Sequence, residues 1–261
     1  MERLFDDGNE FDAALSEAMN RASVEDIASK MDRQFVLDNV IPELISVEEY
    51  DDFKFKVPYL NTHGIENMEG VVAIPTIVFK DEPVCRASTK VTGDMMMSFD
   101  ISKKELEEAA FKNLENKEYK LQSLNSMMFS LDPDLAQMMG IPEPENDTLN
   151  PADMYVVTNE SGVKGSNAIL NSELQARLAE GFGDFYILPS SKHEVIVISA
   201  DMADSIGHDP KGLCDMVSTI NATVLDPKDK LTDNVFRYDS ETECIQTVSA
   251  DSESGQNIER D

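Results

Sequence analysis

Two apolar runs, DFYILPS at 184–190 and HEVIVIS at 193–199, are separated by only two residues, and that spacing limits the fold more than any other feature of the chain. Strands so close favour a hairpin, because parallel neighbours need a long crossover between them. The sheet that holds them is therefore mixed or antiparallel, and with helices packed on it the fold class is α+β.

The rest of the C-terminal half has the same texture. MYVVTN (154–159) reads as a strand, and NSELQARLAEG as a helix capped by Asn171, with Gly181 just past its end. Asp209-Pro210 opens a helix running to about Asn221, and NVFRYDS with CIQTVS reads as a terminal strand pair.

Earlier in the chain, residues 10–31 carry Phe11, Leu15, Met19 and Ala22 at helical spacing, so a helical N-terminal region is expected. VVAIPTIVF (71–79) is too rich in β-branched residues for a helix. Pro75 within it cannot donate to a ladder, which places the strand at an edge or gives it a bulge. Ser102 and Glu105 have capping-box spacing, so a helix is expected over 103–114. Leu121, Leu124, Met128, Leu131, Leu135 and Met138 then recur at intervals of three and four, with a restart at Asp132-Pro133 and an end at Gly140. IPEPENDTLNP follows as an exposed linker.

The chain thus divides into an N-terminal helical and α/β region (1–142), a linker-like loop (143–152), a C-terminal α+β region (153–248) and a polar tail (249–261). The two larger regions are expected to form one compact unit.

Charge narrows the function. With 51 acidic and 22 basic residues the net charge is −29, spread along the chain: 15 acids against 6 bases in residues 1–60, and 10 against 4 in 226–261. Such a surface repels phosphate backbones, so no direct nucleic-acid binding is expected. It either serves only to solubilise the protein or occupies a basic, nucleic-acid-binding partner as a charge mimic. No apolar run approaches the roughly 18–20 residues that span a bilayer, and the N-terminus has no signal-peptide pattern. Cys85, Cys214 and Cys244 match no disulfide or zinc framework and read as reduced, partly buried thiols of a cytoplasmic protein.

A search for chemistry finds little. His63, His193 and His208 are far apart and no C-x-x-C pair exists, so no metal is expected. Neither a phosphate-binding loop nor a G-x-S-x-G elbow occurs, and no cofactor is expected. The Met pairs within 95–97, 127–128 and 138–139 read first as flexible core packing, with an adaptable groove for partner helices as the other reading. In LPSSKHEVI, residues Ser190, Ser191, His193 and Glu194 sit together at a strand junction. An extended chain would aim Ser191 and His193 to one face and Glu194 to the other, the minimum for a serine beside a base. The bland alternative is a polar turn leading into a buried strand.

MYVVTN at 154–159, YILPSSKHEVI at 186–196, Asn221–Thr223 and the stretch Asp233–Asp239 resemble an uncharacterised bacterial family, the domain-of-unknown-function family 5688, mainly over residues 154–239. ISKKELEEAAFKNL is a weaker echo of it. The resemblance implies a shared fold and a bacterial cytoplasmic setting, supplies no activity, and marks Ser190, Ser191, His193, Glu194 and Asn221 as a common binding surface. The MMMSF stretch and the Pro-rich linker depart from the family pattern.

The sequence therefore reads as a non-enzymatic protein-binding module engaging a basic, nucleic-acid-handling partner. The reading from another class is a hydrolase or transferase using the Ser191 and His193 neighbourhood.

Overall fold

The β-branched run that begins at Val71 becomes the middle strand of a small sheet. In the computed structural model the described residues are 31–61, 64–82, 85–141, 149–189, 191–207 and 209–248, with side chains of 80–86 excepted. The helix expected over 10–31, most of the linker, and the tail lie outside them, as do Ser190, His63, His208 and the Cys85 side chain.

Helix α1 (Arg33–Asn39) leads into β1 (Val40–Ser46), followed by α2 (Val47–Asp51), β2 (Val71–Glu82) and β3 (Cys85–Lys90). The three strands form an antiparallel sheet in the order β1-β2-β3. Pro75 therefore sits in a central strand rather than an edge. It is tolerated because β3 pairs only from Thr76 onward, opposite Lys90. Pro75 faces Pro42 across the β1–β2 ladder, and the two carbonyls point away from each other. The Pro75 carbonyl takes the Val91 N–H at 2.8 Å and the Pro42 carbonyl takes Asn167 Nδ2 at 2.6 Å. Neither missing N–H is then demanded by the ladder. A register shift, the other device expected, falls between Val78 and Lys80.

Helix α3 (Gly93–Ser98) and helix α4 (Lys103–Glu115) come next. The capping box forms as expected: Glu105 N–H donates to Ser102 Oγ at 3.2 Å and Ser102 N–H to Glu105 Oε2 at 3.0 Å. Leu106, Ala110, Phe111 and Leu114 of α4 are buried. Asn113 Nδ2 donates to the carbonyls of Leu37 and Val40, both at 2.8 Å, which fastens α4 to the start of β1.

The helical periodicity from Leu121 is partly overruled. Tyr119–Ser123 is a strand, β4, paired with β5 (Met154–Asn159). Here Tyr119, Leu121 and Ser123 alternate with exposed Lys120 and Gln122, a period of two that serves a sheet edge. The helix starts only at α5 (Leu124–Leu131), with Ser123 Oγ accepting the Ser126 N–H, and Asp132 caps α6 (Pro133–Met138). Part of the expected linker is pinned, since Asn150 N–H donates to Tyr155 Oη at 2.7 Å and Ser199 Oγ to the Pro151 carbonyl at 2.7 Å.

The remaining elements are α7 (Ser172–Phe182), β6 (Phe185–Leu188), β7 (Val195–Ser199), α8 (Ala200–Ser205), α9 (Pro210–Thr223), β8 (Val235–Asp239) and β9 (Cys244–Val248). Helix α7 ends at Phe182, two residues later than expected, because Gly181 is inside it and Gly183, at φ +68°, stops it. A Cβ on Gly181 would lie 2.9 Å from Leu149. Strands β6 and β7 form the expected hairpin within a six-stranded antiparallel sheet of order β4-β5-β7-β6-β8-β9. The fold is α+β.

One face of the large sheet, with Val157, Phe185, Ile187 and Phe236, joins Val40, Leu44 and Ile77 of the small sheet and Leu106 and Phe111 of α4 in a shared apolar core. The other face, with Tyr186, Leu188, Ile198 and Val235, is covered by Ala203, Leu213 and Val217 of α8 and α9. Of the thiols, Cys214 is half-buried, and burial pushes it up from its ordinary value, whereas Cys244 is exposed rather than partly buried.

Asp184, ahead of β6, accepts hydrogen bonds from the backbone and hydroxyl of Ser240 (2.9 and 2.7 Å) and from Arg237 Nη2 (2.7 Å). These, Ser240 first, hold its carboxyl below the usual carboxylate range. A lowered folded-state value means stability that is present above the unfolded-state value and lost as pH falls through the folded one. Asp184→Asn is expected to cost about 1 kcal/mol at neutral pH, the low end for a charged acceptor because the side chain is partly exposed. Urea unfolding should show the gap between variant and parent closing as the solution is acidified.

Candidate functional site

The six-residue link between β6 and β7 holds Ser191, His193 and Glu194, three of the residues singled out by sequence. Ser191 is buried. Its N–H donates to the Glu194 carbonyl at 3.2 Å, so the link turns instead of running extended, and the two side chains are not aimed to a common face by strand geometry. Ser191 Oγ accepts the backbone N–H of His193 at 3.0 Å. The hydroxyl thus meets the amide of His193 and not its ring.

The ring has other partners. His193 Nδ1 accepts the Lys164 N–H at 3.2 Å, and Nε2 stands 3.3 Å from Asp229 Oδ1, which sets the tautomer with the proton on Nε2. The His193 carbonyl accepts Thr158 Oγ1 at 2.8 Å and the Gly165 N–H at 3.0 Å. A Cβ on Gly165 would collide with Thr158 and Asn159, which is why a glycine stands at this close approach. Glu194 is exposed.

Asn221, the last of the expected residues, is buried in the final turn of α9. Its Nδ2 donates to the Thr232 carbonyl and to Asp233 Oδ1, both at 2.9 Å, while Lys230 Nζ holds the other Asp233 oxygen at 2.5 Å. Asn221 and His193 thus belong to separate networks, both anchored on the loop 226–234.

Five residues that sequence reading passed over, Glu43, Glu49, Lys164, Lys192 and Asp229, complete the cluster. Glu43, buried in the middle of β1, receives Lys164 Nζ on Oε1 at 2.7 Å. Lys192 Nζ lies 3.7 Å from Asp229 Oδ1 and 3.8 Å from Glu49 Oε2, and donates to the Lys228 carbonyl at 2.7 Å. The path Glu43–Lys164–His193–Asp229–Lys192–Glu49 joins β1 and α2 to the β6–β7 link and the turn before β8. Glu43 was visible in sequence as a lone acid within VIPELISV, an anomaly for a buried strand. Its partner, 121 residues away, was not.

Chemically the arrangement holds charges in balance: the imidazole and both ammonium groups have partners. Glu43 Oε2 and the hydroxyls of Thr76 and Ser166 are buried with no hydrogen-bond partner among the described residues. Thr76 shares the sheet face of Glu43, one register step along. Among the described residues no group of three or more His, Cys, Asp and Glu side chains is placed to hold a metal ion.

A second feature lies on the adjoining helices α5 and α6. No residue of α5 is buried and only Ala136 of α6 is. Leu131 and Met138 are 84% and 86% exposed, and Met128, Leu135 and Met139 are also open. The reading of Met128, Met138 and Met139 as core packing is thus overturned: α5 packs against α6 and the β4–β5 edge of the sheet, and these three side chains stay open. Met95 and Met96 do pack against the core, whereas Met97 is exposed. No described helix is long and apolar enough to cross a membrane.

Removing Lys164 leaves Glu43 buried without its counter-ion. Lys164→Met is expected to destabilise the fold by about 2–3 kcal/mol, while Glu43→Leu with Lys164→Met together should recover most of the loss. Urea midpoints of the three proteins measure it; equal losses for the single and double variants would show that the pair does not act as a unit.

A model described as a family of unknown function, DUF5688, matches residues 4–240. The match takes in the N-terminal half, including the stretches that read as departures from the family pattern. No curated protein and no solved structure matches the chain.

Proposed function

The chain belongs to the family of unknown function DUF5688, and we propose that it works as a non-enzymatic protein-binding module of the bacterial cytoplasm, its acidic surface receiving a basic partner that itself handles nucleic acid. The observation that carries this reading is the disposition of positive charge. Among the described residues nine basic side chains stand within 4 Å of a carboxylate, from Arg33 with Glu105 to Arg237 with Asp184. Local acids thus take nine of the sixteen Lys and Arg side chains described, and over the whole chain carboxylates outnumber cations 51 to 22. A field of that sign repels phosphate and steers Lys- and Arg-rich surfaces toward contact. Proteins that bind nucleic acid present such surfaces.

The Ser191 and His193 neighbourhood supports binding over turnover. Both ring nitrogens have protein partners, and the serine hydroxyl is turned to an amide. A nucleophile needs a base within reach of its proton.

The test is retention of cytosolic proteins on the tagged full chain at low and at moderate salt, with mass-spectrometric identification. A basic protein held at low salt and released as salt rises is the expected result, since exposed charges are screened over about 8–10 Å near physiological ionic strength. Enrichment of nothing at either salt overturns the reading.

A further inference from the structure

We propose that the adjoining helices α5 and α6 form the docking face for a basic amphipathic helix of the partner protein; this rests on the protein-binding reading and gives it a place. Two independent properties of these adjoining helices converge. Met128 and Leu131 of α5, Leu135 and Met138 of α6 and the following Met139 are all open to solvent. Apolar exposure concentrated in so short a stretch marks an interaction site, and methionine adapts its shape to a helical ligand at little cost.

The second property is charge. From Leu121 to Asp153 the chain holds six acids and no basic residue. Two of those acids, Asp132 and Asp134, are exposed at the bend between α5 and α6, beside Leu131 and Leu135. An apolar face with an acidic rim selects a helix whose apolar stripe is flanked by Lys and Arg. A second copy of the chain would bring Asp132 and Asp134 against acids of the same kind, and like charges at an interface are unfavourable. An anionic membrane surface is excluded by the same sign, since helices that lie on it carry Lys and Arg.

The experiment uses the full chain and a fluorescent Leu/Lys peptide with its leucines at helical spacing. Its controls are a scrambled peptide of identical composition and a patterned Leu/Glu peptide. Anisotropy titrations are run at about 0.15 M salt, where long-range attraction is screened. Saturable binding of the patterned Leu/Lys peptide alone is expected. Leu131→Ser with Met138→Ser should weaken it about tenfold or more, in line with the loss of two apolar anchors. Both side chains are exposed, so the variant keeps the parent's urea midpoint. Asp134→Lys should weaken the peptide independently of the apolar pair.

Unchanged affinity in the serine variant, equal binding of the scrambled peptide, or no binding at all overturns the proposal. So does a parent protein whose sedimentation reveals an oligomer that the serine variant dissociates, since the face then belongs to a second copy. The serine variant is also carried through the salt-dependent retention experiment. A basic partner held equally by both proteins leaves the protein-binding reading standing and removes this face from it, whereas an empty eluate from both removes the reading itself.

Discussion

The Glu43 carboxylate lies in the middle of a strand with almost no access to solvent, and the ammonium of Lys164 holds it at 2.7 Å. A buried charge is costly unless paired, so the position of Lys164 is a condition on the whole fold. Lys164 itself stands at φ +52° in the loop that leaves β5. That loop is seated by Gly165 and Ser166 donating to the carbonyls of His193 and Lys192, and by Asn167 donating to Pro42. The three-stranded sheet, the β6–β7 link and the loop after β5 are therefore fixed by one another. A second fastening ties β9 and the residue ahead of β8 to the segment before β2, with Glu69 N–H on Thr247 Oγ1 at 2.7 Å and Asn234 Nδ2 on the Glu69 carbonyl at 2.8 Å.

This arrangement explains why a cluster rich in polar groups does not read as a reactive one. Each titratable side chain in it faces a partner from another element: Glu43 with Lys164, His193 with Asp229, Lys192 with Asp229 and Glu49. Such a network orients segments and consumes the very cations that would otherwise offset the carboxylates elsewhere. The open apolar residues of α5 and α6 lie outside this joint.

Local signals were legible where the physics is local. The Ser102–Glu105 capping box, Asn171 as N-cap, Asp209-Pro210 at a helix start and the close pair of strands at β6–β7 all stand in the structure. Each involves residues within a few positions, and short-range hydrogen bonds decide them. Periodicity misled at Leu121, because that position fits a helix turn and a strand alike until β5 supplies a ladder partner. The methionines of α5 and α6 misled for the opposite reason, since an amphipathic stripe announces that a face is apolar and not what covers it.

By itself the sequence determined the α+β class, the hairpin and most helix starts, through caps, prolines and strand spacing that act over a turn or two. Its charge was decided there too, since no tertiary contact changes the excess of 29 negative charges. Only the tertiary structure decided that Pro75 lies mid-sheet, that Glu43 meets Lys164 across 121 residues, that Ser191 and His193 are partners of the backbone and of Asp229, and that Leu131 and Met138 face outward. These depend on which distant segments come together, and that is set by the burial of one shared core, a property of the whole chain and not of any window within it.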